Sequence, residues 1–533
     1  MNSQKKEKTI QVALLALCIF TITVMLGVFF ALTYTGRITL CGQDMYCDEL
    51  VARLIWEDKS IFPANWAFGN QYNVISTPVM MALFYGLTGS MNLSLVLGCA
   101  AMNAFVLLAF WWALRPFCSK LQISVGLMVL LGCIICKNAP LQYEGQFLYI
   151  MANYYACYLM VLLVVWGDWA RLLLQKRSRL VSPSFLIAVL LSFLIGMQSM
   201  RQFLMMVLPM ACLEALRLLV LLCRQRFRLQ KEQLAPTLAG AIYGIANLLG
   251  YIYVKSLHLP GTSIYGNVEM RPVSEWKEML PHMLQNVSLI TGLHDLRVNG
   301  MQPLSVLLLV FALCMVGAAL LIILVDFIRS KVLFSNIAQL FVLLGTISFA
   351  GMMATNIVLS MKVRSIYFFV WHFLVAFSTL TVFIRLKPKA KPILAVAACV
   401  LVLNNMLYSY VPSIHFNSGA EKSTLEQVSD WVVENEYDYL YGSWGSANMV
   451  APYGDGAYIT GTWFWGVFNI LPYTNVTQIY TEEHNKRAVY LITEDEEEAA
   501  QELAAQAGAE LTLQASFGEG SMKLYTSSKQ LLR

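Results

Sequence analysis

The sequence CGQDMYCDELVARLIWEDKSIFPANWAFGNQYN occupies residues 41–73, between one long apolar run and the next. Its 33 residues include five carboxylates: Asp44, Asp48, Glu49, Glu57 and Asp58. A simple connector between two membrane helices needs only a few polar residues, whereas this segment is long and has apolar residues at helical spacing. We therefore expect a helical loop with a function of its own, on whichever side of the membrane it faces.

The composition indicates an integral membrane protein. The 533 residues are 58% hydrophobic and only 13% charged, whereas about a quarter of the residues in soluble domains are charged. The net charge of +5 is modest and does not indicate nucleic-acid binding. About eleven apolar runs are long enough to span a bilayer, for which roughly 20 residues suffice. They lie at 10–33, 92–114, 121–136, 147–166, 183–200, 203–222, 234–254, 303–325, 332–360, 365–384 and 392–411.

Basic residues predict the orientation of these runs, because Lys and Arg concentrate in cytoplasmic loops. Six basic clusters lie near 5–8, 115–120, 171–179, 224–231, 329–331 and 385–391. All six share one side only if the shorter stretch 74–89 does not span, so we interpret that stretch as a juxtamembrane helix. The N-terminus is then cytoplasmic and the C-terminus extracytoplasmic.

This orientation gathers several polar segments on the extracytoplasmic face. They are the acidic loop 34–91, the segment 137–146, Arg201, the long loop 257–302, Arg364 and everything after residue 411. Within loop 257–302, VSEWKEMLPHMLQNV has the pattern of an interfacial amphipathic helix. The runs themselves carry almost no charge in their centres, unlike ion-coupled transporters, which place ionisable residues at mid-membrane. We therefore expect a membrane scaffold that presents a site at its outer surface.

The chain after residue 411 has a different character. We predict a membrane module over 1–411 and a soluble extracytoplasmic α/β domain over 412–533. The segments YDYLYG, RAVYLIT, ELTLQASF and MKLYT are typical of strands. EKSTLEQVSDWVVENE and EDEEEAAQELAAQAG are typical of helices, with the acid run 494–498 at a helix N-terminus, where carboxylates favour the dipole. This order predicts a small parallel or mixed sheet with covering helices.

Two carboxylates near the start of the outer loop are candidate catalytic groups. A carboxylate at Asp44, held near a substrate hydroxyl or amine, can act as a general base. Asp48 is one helical turn further on, so the two face the same way in a helix. The pair is also the candidate site for a divalent cation bound with water and substrate oxygens. The alternative for either residue is a solvated loop carboxylate.

Two arginines at the outer boundary are candidates for binding a phosphate. Arg201 stands between two spanning runs in GMQSMRQFLMMVLP, and Arg364 precedes the tenth run in MKVRSIYFFVWHF. A guanidinium group binds phosphate through paired hydrogen bonds, so these residues suit an anionic lipid carrier. The alternative for each is ordinary snorkelling to phospholipid headgroups.

Three further residues of this face are weaker candidates for contacts with an acceptor or a sugar. Glu144 is a candidate second acid, with a solvated loop residue as the alternative. Trp66 and Tyr72 are candidate rings for stacking on a sugar, or aromatic residues of the interface belt. The sequence has no phosphate-cradling glycine loop, nucleophile elbow or zincin motif, so a cytosolic nucleotide-dependent enzyme is not supported.

In their order along the chain, these motifs resemble those of the GT-C glycosyltransferases. The aminoarabinose transferases of lipid A and the protein O-mannosyltransferase-like enzymes are the most similar in style. The matching residues of the first outer loop are Asp44, Ala52, Arg53, Trp56, Pro63, Gly69, Tyr72 and Pro78. The segment around Arg201 resembles the mid-protein motif of this group, and Arg364 followed by Tyr367 resembles its late motif. The similarity covers loop order and topology over residues 10–385.

The resemblance implies a membrane enzyme that takes a sugar from a polyprenyl-phosphate donor. The acceptor would be a glycan, lipid or protein of the cell envelope, on the outer face of the membrane. Asp44 is then the general base, and Arg201, Arg364 and Tyr367 bind the donor phosphate. A single displacement would invert the configuration of the anomeric carbon.

Two positions depart from the pattern of that group. The second acid of the expected pair is Met45 here, and the middle cation is Arg201 where Lys is common. Asp44 would therefore work alone or with Asp48, and the donor need not match the donor of the relatives.

Two other functions remain open: a flippase for lipid-linked glycans, and a glycan ligase or polymerase with a pyrophosphate-linked donor. A flippase needs a polar, charged cavity between its helices. Ligases of this kind carry their key residues in a large late loop, which here is 257–302. No retention or sorting signal is visible, which favours a bacterial plasma membrane as the location.

Overall fold

The structure is a computed structural model. It describes residues 2–36, 43–69, 71–135, 148–151, 153–175, 180–224, 231–259, 269–294, 303–360, 364–414, 422–464, 467–470, 487–529 and 531. The helices within these ranges are α1 (Asn2–Gly36), α2 (Gln43–Asp58), α3 (Thr77–Thr88), α4 (Met91–Leu114), α5 (Lys120–Gly132), α6 (Ala156–Gln175), α7 (Pro183–Gln198), α8 (Leu208–Arg224), α9 (Lys231–Ser256), α10 (Trp276–Thr291), α11 (Pro303–Ser330), α12 (Ile337–Val358), α13 (Val370–Arg385), α14 (Lys391–Asn405), α15 (Thr424–Glu434), α16 (Trp444–Val450) and α17 (Glu497–Gln506).

Nine helical segments within the described ranges are long and apolar enough to cross a membrane, and the chain is an integral membrane protein. The runs at 121–136 and 183–200 form the shorter apolar helices α5 and α7, so each expected run contains a helix. The stretch 74–89 forms α3, whose 12 residues are too few to span a bilayer. This length agrees with its interpretation as a juxtamembrane helix.

One predicted helix begins later than its apolar run. The run at 147–166 was expected to be helical throughout, but α6 starts only at Ala156. Met151 and Asn153 take left-handed backbone angles, with φ of 42° and 48°, and a right-handed helix cannot pass through them. Asn153 Nδ2 donates to the carbonyl of Cys99 at 3.0 Å, which holds this irregular segment against α4.

The helix α13 forms the centre of the bundle, since nearly all of its residues are buried. It packs against α5, α11 and α12. Within it the rings of Phe373 and Phe377 lie 4.4 Å apart between centroids, and Phe377 meets Phe341 of α12 at 4.7 Å. Aromatic pairs at these distances add dispersion energy to the burial of apolar area. The packing fixes the start of α13, where Arg364 and Tyr367 lie.

The acidic loop 34–91 and the loop 257–302 each contribute a helix, as their apolar spacing predicts. The acidic loop forms α2, which packs on α3. The segment of loop 257–302 forms α10, which packs against α12 and the turn Ser365–Phe368. In α10, Met283 is buried, whereas Leu284 on the next position is 53% exposed. This division between two faces is that of an amphipathic helix.

The C-terminal residues form a six-stranded mixed sheet with covering helices, as expected. Its strands are β1 (Tyr439–Gly442), β2 (Ile459–Phe464), β3 (Val467–Ile470), β4 (Ala488–Thr493), β5 (Leu511–Phe517) and β6 (Met522–Ser527), in the order β3-β2-β1-β4-β6-β5. β1 is parallel to β2 and β4, and the other pairs are antiparallel. The acid run 494–498 begins α17 through a capping box of Thr493 and Glu496, as predicted.

The C-terminal domain packs on the acidic outer loop. Its short helix α16 lies against α2, and the 3₁₀ turn Ala451–Gly454 contacts α2 as well. Val450 and Leu425 of this domain belong to the same hydrophobic core as Leu50 and Val51 of α2. The helix with the candidate carboxylates is therefore held between the membrane bundle and the sheet domain.

Candidate functional site

The first turn of α2 meets the start of α13 through an ion pair. Arg364 Nη1 lies 3.2 Å from Asp44 Oδ2, and both side chains are partly exposed, at 46% and 34%. Partial burial of Arg364 works against its charge, but the Asp44 carboxylate outweighs this effect and holds the pKa of Arg364 above its ordinary value. The base candidate and one phosphate candidate are thus in direct contact.

Arg201 lies in a cage of tyrosine rings. Its guanidinium carbon is 4.2 Å from the ring centroid of Tyr367, 5.2 Å from Tyr155 and 6.0 Å from Tyr158. Its Nη1 donates to the Tyr155 hydroxyl at 2.9 Å. Ring faces attract a cation without neutralising it, and no carboxylate among the described residues forms an ion pair with Arg201. The guanidinium therefore keeps its full charge for an anion.

The backbone after Arg201 forms a π-helical turn, Phe203–Val207, which leads directly into α8. Such turns break the regular hydrogen-bond ladder and are frequent at functional sites. Here the released carbonyls are used: Trp166 Nε1 donates to Met206 O at 3.2 Å, and Ser348 Oγ donates to Met205 O at 2.9 Å. These bonds fix the turn and with it the position of Arg201.

The segment before α6 connects the two halves of the site. The Tyr154 hydroxyl donates to the backbone carbonyl of Asp44. The neighbouring Tyr155 is buried, and burial, the largest influence, raises its pKa well above the ordinary value. The positive charges of Arg201 and Arg364 act in the opposite direction. Two adjacent residues therefore connect the parts of the site: Tyr154 contacts Asp44, and Tyr155 contacts Arg201.

Asp48 differs from Asp44 in its surroundings. It is 6% exposed, and its Oδ2 accepts no hydrogen bond from any described residue. Burial, followed by the negative charge of Asp44, raises the pKa of Asp48 well above its ordinary value, while a hydrogen bond with Tyr154 opposes the shift. Desolvation thus disfavours the charged form of Asp48, the buried one of the two carboxylates.

The structure brings together five residues selected from the sequence: Asp44, Asp48, Arg201, Arg364 and Tyr367. Together they form a cluster of two carboxylates, two guanidinium groups and a phenol. This combination is able to hold a phosphate and to accept a proton beside it.

The remaining candidates lie elsewhere. Trp66 is 5% exposed and belongs to the hydrophobic core. Tyr72 is half-buried, with its ring 5.2 Å from that of Phe68 and its amide donating to Gln198 O at 2.9 Å. Neither is among the described contacts of the two arginines, so their role toward a sugar stays a prediction. Glu144 lies outside the described residues.

A divalent cation at Asp44 and Asp48 also stays a prediction. Within the ranges that the structure describes, no group of three or more His, Cys, Asp or Glu side chains is arranged to hold a metal ion. Any cation at the pair would therefore take its remaining ligands from water or substrate.

Three tyrosines of the site were missed from the sequence: Tyr154, Tyr155 and Tyr158. Their signal is the segment NYYACY, which has adjacent tyrosines at the outer start of a membrane helix. The same pattern fits an interfacial aromatic belt. Only the approach of Arg201, far along the chain, makes the rings part of a charged site.

Comparison by sequence finds no match among family models or curated proteins. Comparison by structure finds ArnT from Cupriavidus metallidurans. In its apo state it superposes with a TM-score of 0.58 at 9% identity, over 95% of this chain and 97% of that chain. Bound to undecaprenyl phosphate it superposes with a TM-score of 0.60 at 10% identity, over the same shares.

This chain has the ArnT fold. The match extends over nearly the whole length of both chains, so it includes the bundle, the outer loops and the C-terminal sheet. The GT-C architecture expected from the order of the motifs is thereby confirmed. At this identity the ArnT likeness shows the fold, and the chemistry has to be argued from the site itself.

Proposed function

We propose that this chain is a membrane glycosyltransferase that moves a sugar from a polyprenyl-phosphate donor to an acceptor of the cell envelope. The observation that carries the proposal is that the Asp44–Arg364 ion pair and the caged Arg201 share the neighbouring tyrosines Tyr155 and Tyr367. The ArnT structure with bound undecaprenyl phosphate supports the class of donor, because the two chains share a fold.

In this proposal the donor phosphate lies between Arg201 and Arg364. Among the described residues, the Arg201 guanidinium group donates to one acceptor, the Tyr155 hydroxyl, which leaves donors for phosphate oxygens. Arg364 is 46% exposed and is therefore accessible from solvent. Tyr367 packs over Arg201 and contributes its hydroxyl. Two planar cations on one phosphate stabilise the charge that develops on it as a leaving group.

Asp44 is the general base of the proposed reaction. Its carboxylate lies 3.2 Å from Arg364 and is 34% exposed, so an acceptor hydroxyl or amine is able to reach it. Asp48 retains its proton to higher pH because its pKa is raised.

The step is a single displacement. The acceptor oxygen or nitrogen attacks the anomeric carbon and forms the new bond, while its proton passes to Asp44. The bond from that carbon to the phosphate oxygen breaks, and its electron pair leaves with polyprenyl phosphate. Attack opposite to the leaving group inverts the anomeric configuration.

The proposed location is the outer face of a bacterial plasma membrane. The distribution of Lys and Arg among the loops supports the extracytoplasmic side for the site and the sheet domain, and the lack of a visible retention or sorting signal supports a bacterial membrane. The acceptor would approach beside α10, whose exposed apolar residues include Leu280 and Leu284, at 43% and 53%. This surface suits an acceptor that is itself anchored in the membrane.

The test follows release of free polyprenyl phosphate from a panel of polyprenyl-phosphate sugars, with cell-envelope extract as the acceptor. Wild type is compared with Asp44→Asn and with the control Asp326→Asn, which removes a carboxylate of a second Arg–Asp pair, also at 3.2 Å, with Arg385. We expect release by wild type and the control, and a loss of about 10²–10⁴-fold in Asp44→Asn.

Two outcomes would contradict the proposal. Equal release by wild type and Asp44→Asn would remove Asp44 from the mechanism. No release with any donor, by a folded protein that binds undecaprenyl phosphate, would favour a flippase or a ligase with a pyrophosphate donor.

A further inference from the structure

The C-terminal domain contacts the helix of the candidate base at two points and the neighbouring helix α3 at a third, and none of the three has a part in the proposed chemistry. The first is close to the base itself. The Tyr46 hydroxyl lies 3.3 Å from the Tyr453 hydroxyl, and their rings are 6.0 Å apart between centroids. Tyr46 is fully buried and lies between Asp44 and Asp48 in the first turns of α2.

The second contact lies two turns further along α2. Arg53 is only 11% exposed, and its Nε is 3.3 Å from Glu57 Oε1. A turn of the C-terminal domain lies next to this guanidinium group. A Cβ atom added at Gly456 in that turn would be 3.5 Å from the guanidinium atoms of Arg53. Gly456 has φ of 86°, in the left-handed region that favours glycine. The turn is thus shaped for a close approach to Arg53.

The third contact adds the juxtamembrane helix α3. The Tyr85 hydroxyl donates to Asp455 Oδ1 at 2.7 Å. Asp455 precedes Gly456 in the same turn and also has a left-handed backbone, with φ of 44°. Burial and the Asp455 carboxylate raise the pKa of Tyr85 to about 12, so the phenol remains a donor at physiological pH. One turn therefore contacts both outer helices.

We infer that the turn 453–456 of the C-terminal domain is a positioning element for the active site, with Tyr453 and Asp455 as its positioning residues. It holds α2 at Tyr46 and Arg53 and ties it to α3, so that Asp44 keeps its distance to Arg364. The inference has two parts. The structural half is that the turn restrains α2, and it does not depend on the proposed function. The catalytic half is that this restraint positions Asp44 for the reaction, and it rests on the proposed function.

The restraint follows from how a short outer helix is anchored. α2 has 16 residues, and its hydrogen bonds and packing must offset the entropy of ordering it. A helix with so few residues is marginal by itself in water. A small displacement at its first turn separates base and substrate, and misplacement by about 1 Å costs on the order of 10²-fold in rate.

The experiment uses the full chain in lipid nanodiscs, with Tyr453→Phe, Asp455→Asn and the two combined. Tyr453→Phe removes the polar contact with Tyr46, and Asp455→Asn removes the charge that strengthens the hydrogen bond from Tyr85; both keep the shape of the side chain. A matched control exists on the far side of the same domain, where the Tyr525 hydroxyl donates to Glu497. Tyr525→Phe and Glu497→Gln make the same chemical changes without touching α2.

The first readout is amide hydrogen exchange of residues 43–58, which requires no substrate. We expect the combined variant to exchange about tenfold faster there than wild type, with the controls unchanged in this segment. Equal exchange in the combined variant and wild type would overturn the inference.

The second readout separates positioning from general stability. With a donor that wild type uses, the combined variant should show a lower kcat with KM and undecaprenyl phosphate affinity unchanged. Faster exchange with an unchanged kcat would overturn the catalytic half. Faster exchange in a protein whose wild type releases no polyprenyl phosphate would uphold the restraint of α2 and defeat the proposed function instead.

Discussion

Asp44 and Arg364 form an ion pair at 3.2 Å although 320 residues separate them along the chain. Both side chains are partly exposed, and such pairs contribute only about 0.2–1 kcal/mol. The phosphodiester of the proposed donor carries one negative charge and competes with the Asp44 carboxylate for the same guanidinium group. Binding of the donor would therefore take Arg364 from Asp44 and leave the carboxylate available as a base.

Removal of Asp44 should tighten the binding of undecaprenyl phosphate. Asp44→Asn removes the anion that competes for Arg364 and that repels the phosphate. We therefore expect the affinity for undecaprenyl phosphate to rise by up to about fivefold, which corresponds to the free energy of one exposed ion pair. The measurement is a titration with undecaprenyl phosphate followed by tryptophan fluorescence. Asp326→Asn, at the Arg385 pair, should bind like wild type. Weaker binding in Asp44→Asn would show that Asp44 does not compete with the ligand.

Replacement of Arg201 should weaken binding of the same lipid even when the charge is kept. Lysine has no planar fork, so Arg201→Lys loses the paired hydrogen bonds and the stacking on Tyr367. We expect a loss of about 10–100-fold, as for one or two charged hydrogen bonds. The control is Arg115→Lys, which alters an exposed arginine 4.7 Å above the Trp111 ring. Wild-type affinity in Arg201→Lys would show that charge alone is required.

The acidity of Asp48 predicts how stability depends on pH. Its folded-state pKa is raised above the ordinary 3.8, so the native state binds the extra proton. The contribution of this proton to the free energy of unfolding is fully present below pH 3.8. It is lost as pH rises through the folded-state pKa, at up to about 1.4 kcal/mol per pH unit. Asp48→Asn should lack this decline in thermal melting, whereas Asp430→Asn, at an exposed pair with Lys422, should retain it. Parallel melting curves for wild type and Asp48→Asn would contradict the prediction.

Tyr154 should modulate that pH dependence. Its hydroxyl lowers the pKa of Asp48 in opposition to burial. Tyr154→Phe should therefore extend the loss of stability to higher pH. In the Asp48→Asn background the substitution should leave the pH profile unchanged, because no titrating group remains for the hydroxyl to influence. A shift of equal size in both backgrounds would assign the effect to another group.

The carboxylate side of the site could be predicted from local sequence. Apolar residues at helical spacing indicated a helix in the acidic loop, and a helix places Asp44 and Asp48 one turn apart. Four of the six strands were also predicted, since each is a short apolar run bounded by polar residues. These features depend on neighbours in the chain.

Other features depend on contacts that local patterns do not encode. The segment ITGTWF forms β2, but its Thr and Gly residues give little alternation, and its pairing with β1 stabilises it as a strand. The delayed start of α6 depends on the side chain of Asn153 bonding to α4. The cage of Arg201 needs Tyr155 and Tyr367 to converge from distant helices.

The turn 453–456 also sets an order of events during biosynthesis. Tyr46 and Tyr453 are separated by 407 residues. At about 5–20 residues per second, a ribosome needs roughly 20–80 s to cover this distance. Throughout that interval the helix of Asp44 has been synthesised but lacks its contact with Tyr453. A chain that ends before this turn would therefore carry Asp44 on a helix without its contacts at Tyr46 and Arg53, so the geometry of the site is completed only when the C-terminal sheet domain has been made.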